Sequence, residues 1–103
     1  MIHVIATIEL HPGRREAFLQ EFRQVLPAVL AEMGCLAYQA AVDAETDINR
    51  QTRKGENIAT IVEQWESVDA LKAHLAAPHM LEYRERIKDY VAGATLHILK
   101  TAD

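Results

Sequence analysis

The sequence predicts an α+β fold of ferredoxin-like type, a split β-α-β arrangement with an antiparallel sheet and its helices on one side. Three observations predict it. The hydrophobic periods follow one another in the order β-α-β-β-α-α-β along 103 residues, the length of one compact domain. The strand-like runs alternate apolar and polar residues, as a sheet with one covered face requires. Pro12-Gly13, Gly34 and Gly93 punctuate the runs.

The elements follow in order. Ile2 to Leu10 is a strand with Ile2, Val4, Ala6, Ile8 and Leu10 on one face and His3, Ile5, Thr7 and Glu9 on the other. After Pro12-Gly13, Phe18, Phe22, Val25, Val29 and Met33 recur at helical spacing, with Leu26 and Leu30 beside them. Pro27 predicts a kink near Arg23 to Pro27, and Gly34 a stop. Cys35 to Val42 is the second strand, with Leu36, Tyr38, Ala40 and Val42 sharing a face. Asp43 to Asn57 is a long polar loop. Ile58 to Glu66 is the third strand, with Ala59, Ile61, Glu63 and Trp65 on one face. Ser67 caps a short helix, and Pro78 opens another that carries Met80, Tyr83, Ile87 and Tyr90 or Val91 to a stop at Gly93. Ala94 to Lys100 is the last strand. No repeat or second domain interrupts residues 1–103.

Half the residues are hydrophobic, a quarter are charged and the formal charge is −4. That balance is globular and argues against a nucleic-acid-binding surface. One cysteine, Cys35, excludes an internal disulfide and a cysteine-rich zinc site, and fits a reducing cytoplasm. MIHVIATIELHPG has no basic leader, and no apolar run is long enough to span a membrane. Ile5 and Leu99 lie on strand faces that one layer of helices cannot cover, so a twofold homodimer packed sheet to sheet is expected.

The stretch EQWESVDALKAHLAAPHM concentrates chemistry. His74 and His79 are candidate acid-base groups because imidazole titrates near neutrality, and the chain turns between them at Pro78. The plain alternative makes His74 a half-exposed helix residue and His79 a first-turn residue bonded to neighbouring backbone. Glu63 and Trp65 share a strand face, so Glu63 is a candidate base with a raised pKa or the partner of an arginine, and Trp65 a pocket wall or a core anchor. Tyr38 and Tyr83 could line the same cavity. A metal site is not expected, since His74 and His79 have no third ligand at suitable spacing. Arg50, Arg53 and Lys54 make the long loop either a clamp for an anionic substrate or a solvated arm.

HPGRREAFLQEF, EMGCLAYQAAVD and IVEQWESVDALKAHLAAPHM together resemble the antibiotic biosynthesis monooxygenase family. The resemblance covers nearly the whole chain and implies a dimeric α+β barrel. It implies a cofactor-free monooxygenase that oxidises an electron-rich aromatic such as a quinol with dioxygen. Trp65 matches a substrate-holding tryptophan of such enzymes, while Ile61 stands where they carry an asparagine. The haem-degrading branch of the family is unlike this chain, which has Ala6, His74 and Arg84 at that branch's asparagine, tryptophan and haem-ligating histidine. No haem, flavin or other cofactor is therefore expected. AHLAAPHMLEY also resembles an isomerase branch, which makes acid-base isomerisation of a small phosphorylated or polar metabolite the second reading. A non-catalytic small-molecule-binding protein on the same scaffold is the third.

Overall fold

A strand with one wholly apolar face belongs in the middle of a sheet, and that is where the first strand lies. In the computed structural model, which describes residues 1–103, the elements are β1 (Ile2–Leu10), α1 (Arg15–Leu30), β2 (Cys35–Ala41), β3 (Ile58–Trp65), α2 (Val68–Ala76), α3 (Pro78–Ile87) and β4 (Val91–Lys100). The sheet is antiparallel throughout, in the order β2-β3-β1-β4. β1 pairs with β3 from Ile2 opposite Trp65 to Glu9 opposite Ile58. On its other side it pairs with β4, Ala6 opposite Leu96.

The helices cover one face. Phe18, Phe22, Val25 and Val29 of α1 and Met80, Tyr83 and Ile87 of α3 are buried in one cluster with Val4, Ala6, Leu10, Ala59, Ile61 and Trp65 of the sheet. Each large side chain in it contributes roughly 1.5–3 kcal/mol by leaving water. Ser67 caps α2 as the sequence predicts, its Oγ accepting the Ala70 N–H at 3.1 Å. Pro78 occupies the first turn of α3. Ala77 is both the last cap of α2 and the first of α3, with φ −64° and ψ 139°. The residue before a proline is driven to this extended geometry. One extended residue therefore redirects the chain between the two histidines.

Several boundaries differ from the sequence reading. α1 runs on past Pro27 but ends at Leu30, and Met33 is 92% exposed rather than on the helix's apolar face. Gly34 turns the chain instead of capping the helix. Its φ is +85°, and a Cβ there would come within 2.7 Å of the Ala70 Cβ. β2 is bulged: Cys35 opposes Trp65 and Ala37 opposes Gln64. Leu36 is the extra residue, exposed, and does not share the inward face of Tyr38. α3 stops at Ile87, so Val91 and Gly93 belong to β4 rather than to the helix and its stop. Gly93 stands opposite Glu9, and a Cβ on it would lie 2.6 Å from a Glu9 carboxylate oxygen. Its smallness makes room for that carboxylate.

The outer half of β4 carries Leu96, Ile98 and Leu99 at about half exposure. The helix layer does not reach this edge.

Candidate active site

Between the sheet and the helices lies a cavity of about 440 Å³ lined by 15 residues, 11 of them hydrophobic. Its walls come from β1 (Ala6, Ile8), α1 (Phe18), β3 (Ile61, Glu63), α2 (His74, Leu75), α3 (Met80, Tyr83, Arg84, Ile87) and β4 (Val91, Ala94), with Tyr38 from β2 and Lys88 just past α3. Such a space suits a small aromatic ligand, and the few polar groups in it are positioned by a second layer of side chains.

The strand alternation that puts Ile61 and Glu63 inward also puts Trp65 inward, one step further toward the end of β3. Trp65 is fully buried and does not line the cavity. It stands behind the wall, donating its indole N–H to Glu63 Oε1 at 2.9 Å and lying 4.6 Å, ring to ring, from His74. Burial pushes the Glu63 carboxyl up to about 7; the Trp65 hydrogen bond pulls the other way and the Glu32 carboxylate adds to the rise. Glu63 is paired with this indole, not with an arginine.

His74 is buried, not half-exposed, with 2% of its surface accessible. Its Nδ1 lies 2.9 Å from Glu32 Oε2, and the same oxygen lies 2.9 Å from His79 Nε2. A carboxylate oxygen shared in this way accepts from both rings, so His74 carries its proton on Nδ1 and His79 on Nε2. The Nε2 of His74 then keeps a lone pair. No side-chain nitrogen or oxygen in the protein is both sealed from solvent and without a partner. The Nε2 of His74 and the second oxygen of Glu63 are therefore not sealed off, and both residues line the cavity. Burial lowers the His74 pKa, opposed by the hydrogen bond and charge of Glu32, with Arg84 and His79 lowering it further. At neutral pH the ring is a free base.

Tyr38 and Tyr83 do line the cavity. Tyr38 is stacked on Phe22 at 5.3 Å and meets the edges of Trp65 and His74. Burial holds both phenols far above their ordinary range, so they are neutral donors.

The structure thus brings His74, Glu63, Tyr38 and Tyr83 onto one cavity and leaves Trp65 and His79 behind it. Of the positions singled out by resemblance, Ala6, Ile61, His74 and Arg84 also converge there, and Trp65 does not. The cations of the long loop do not. Arg53 is bound to Glu45 and the Thr46 carbonyl, and Asp43 ties the loop through the Lys54 and Gly55 N–H groups. The cations at the cavity are Arg84, which donates to the Leu75 carbonyl at 2.7 Å, and Lys88. Sequence reasoning missed Glu32. Its signal was a lone acid between apolar residues in VLAEMGCLAY, at the head of a stretch already singled out. No group of three or more His, Cys, Asp or Glu side chains is arranged to hold a metal ion, and no helix is long and apolar enough to cross a membrane.

This geometry can be set beside known proteins. The family model described as antibiotic biosynthesis monooxygenase matches residues 1–86. A protein of Escherichia coli K12 described as "Probable quinol monooxygenase YgiN" is 39% identical over 102 residues, 97% of each chain. Among solved structures, PA3566 from Pseudomonas aeruginosa superposes with a TM-score of 0.81 at 26% identity, covering 99% of this chain and 94% of that one. A crystal structure of an antibiotic biosynthesis monooxygenase superposes over the full length of both chains with a TM-score of 0.82; at 23% identity it speaks for the fold alone. With a family model over most of its length and a relative matched nearly end to end, the chain belongs to the antibiotic biosynthesis monooxygenase family.

Proposed function

We propose that this protein is a cofactor-free monooxygenase that oxidises a quinol in the cavity beneath its helices, with His74 as the base. Family membership and the quinol monooxygenase named among its relatives support the reaction class over isomerisation. The observation that carries the residue assignment is the buried His74 ring, held by Glu32 through Nδ1, on an apolar cavity that Glu63 also lines.

The chemistry needs no external reductant. His74 Nε2 takes a proton from one quinol hydroxyl, and the anion gives one electron to dioxygen. The resulting radical pair closes a carbon–oxygen bond on the ring. The ring carbon then loses its hydrogen as a proton, the oxygen–oxygen bond breaks, and hydroxide leaves with a proton as water. Quinol plus dioxygen becomes hydroxyquinone plus water, and both oxygen atoms and all electrons are accounted for. The apolar walls favour electron transfer from an unsolvated anion and keep water from the intermediate. Glu63 holds the second hydroxyl, and the Tyr38 and Tyr83 rings flank the aromatic plane. Trp65 and His79 fix Glu63 and Glu32 from behind.

The reading extends to a cytoplasmic twofold dimer joined through the outer sheet face and the exposed β4 edge, supported by Leu96, Ile98 and Leu99. Light scattering of a dilute sample that returned only the monomer mass would count against the dimer. The reaction itself is tested by oxygen uptake with a panel of hydroquinones and naphthoquinols, with metal and flavin content measured on the same sample. Uptake matched by hydroxyquinone and not by peroxide is expected. Inertness toward the whole panel would overturn the assignment.

A further inference from the structure

The Glu32 bridge lies outside the cavity and joins residues from three segments. Its backbone is fixed on both sides: the Glu32 N–H donates to the Val29 carbonyl at 3.0 Å, and its carbonyl accepts from Cys35 N–H at 3.2 Å. Gly34 then presses this turn against α2, where only a residue without a Cβ fits beside Ala70. The carboxylate is thereby delivered to the last turn of α2 and the first turn of α3 together. With a side chain 13% exposed, it spends one oxygen on two imidazoles.

We infer that Glu32 is a positioning residue that fixes the tautomer of His74, so that a lone pair and not an N–H faces the cavity, with His79 as the second donor that keeps Glu32 in place. This deepens the proposed quinol oxidation and rests on it for its kinetic consequence. Either neutral tautomer of an imidazole is close in energy in water, so a free ring would present an N–H to the substrate much of the time. A carboxylate that only accepts removes that choice. It also stabilises the imidazolium formed when His74 takes the proton, as an acid behind a catalytic histidine does in serine hydrolases. The charged and titratable groups around the His74 ring are Glu32, His79 and Arg84, with the Tyr38 ring against its side and Glu63 on the same cavity. Glu32 is the one carboxyl within hydrogen-bond reach of the ring, so no other group can take over its role.

The test begins on the unliganded wild-type protein, with two-bond proton–nitrogen NMR of the histidine rings. A proton on His74 Nδ1 is expected; a proton on Nε2 instead overturns the inference. Glu32→Gln then removes the charge and replaces a group that only accepts with an amide that can accept or donate, so the ring is no longer held to one tautomer. His74 is expected to shift toward the Nε2–H tautomer, with kcat falling about 100-fold or more and KM changing about threefold or less. The acid limb of its pH profile should move to lower pH, because the carboxylate that favours the imidazolium is gone. Glu32→Asp, one methylene shorter, should recover part of the rate. Should Glu32→Gln fail to fold, the wild-type tautomer and the Glu32→Asp rate decide. A folded Glu32→Gln protein with the wild-type rate overturns the inference. A wild type that holds the Nδ1–H tautomer but oxidises no quinol refutes the proposed function and leaves the tautomer assignment standing.

Discussion

Two regions of this protein invite a functional reading from sequence, the corner at residues 63–80 and the polar loop at 43–57, and the structure treats them in opposite ways. At the corner, Glu63 and His74 are buried, and each is held by a partner that is itself shielded, Trp65 and Glu32. In the loop, most ionic and polar contacts close on the loop itself and are exposed, Arg53 to Glu45, Gln51 to the Ala44 carbonyl, Asp43 to two backbone N–H groups, while Arg15 and the Leu10 N–H tie its far end to the fold through the Gly55 and Asn57 carbonyls. A charge acquires unusual chemistry when it loses water and keeps only a fixed partner. Density of charge in the sequence is a poor guide to this, because charges that neutralise one another in solvent gain little.

The comparison is broken most sharply at His74. His74→Gln keeps a polar side chain in the buried slot but cannot take a proton at neutral pH, and turnover should fall about 10²–10⁴-fold. His74→Ala should do the same and also cost stability, because the ring is buried and its loss leaves Glu32 with one donor fewer. Oxygen uptake beside urea melts of the two variants separates these effects. Turnover within a few-fold of wild type for His74→Gln would return the corner to a structural role. Next in size is Trp65→Ala, which empties the most enclosed aromatic site and should cost about 3–5 kcal/mol. Trp65→Phe restores most of the packing but not the N–H to Glu63. It should cost less and push the Glu63 carboxyl higher still, readable as a shift in the pH dependence of activity.

Most of the fold was legible because it depends on periodicity. β1 was given with its ends and its inward face, and Ala59, Ile61, Glu63 and Trp65 point inward as alternation requires. What failed was local geometry that alternation cannot encode. The bulge at Leu36 inserts one residue without any turn signal, so every inference about faces slips on its near side. Gly93 looks like a helix stop, yet its reason is the Glu9 carboxylate on the neighbouring strand. The site was half legible for a similar reason. Alternation placed Glu63 on the covered face and family resemblance pointed to the positions of Ile61 and His74, but the depth at which a side chain stops was not encoded. Trp65 overshoots the cavity, and Glu32 reaches His74 from 42 residues away along the chain, a contact with no local trace.

Glu63 sharpens the comparison through pH. Its folded pKa is about 7 against an ordinary 4.5. The native state therefore holds this proton more tightly than the unfolded chain does. The associated stabilisation is fully present below pH 4.5 and is lost as pH rises toward 7, in total on the order of 3 kcal/mol. His74 has the opposite sign: its lowered pKa costs stability as pH falls below 6.5. The two slopes oppose each other in the wild type, so its stability should depend on pH less steeply than Glu63 alone would make it. Glu63→Gln should unmask the histidine, with stability falling toward acid. His74→Gln should unmask the carboxyl, with stability falling toward neutrality. Denaturant midpoints at a series of pH values would show this, and parallel curves for all three proteins would mean that neither group is perturbed.

The smallest expected effect belongs to the loop, and it is the one that holds the comparison together. Arg53 is about half exposed and its carboxylate partner Glu45 is nearly fully so. An ion pair in that setting contributes about 0–1 kcal/mol, since both groups stay hydrated and long side chains must be ordered to form it. Lys54 gives the fold only its backbone N–H, to Asp43. Arg53→Ala with Lys54→Ala should therefore shift stability by about 0.5 kcal/mol or less. Because neither side chain lines the cavity, kcat/KM should stay within about twofold for neutral and sulfonated quinols alike, a difference in barrier of roughly 0.4 kcal/mol. A steady-state comparison of the two substrates decides the matter. If the double variant lost tenfold in kcat/KM on the sulfonated quinol and nothing on the neutral one, the loop would be closing over an anionic substrate during turnover. The contrast between a shielded corner and a solvated loop would then describe only the resting protein.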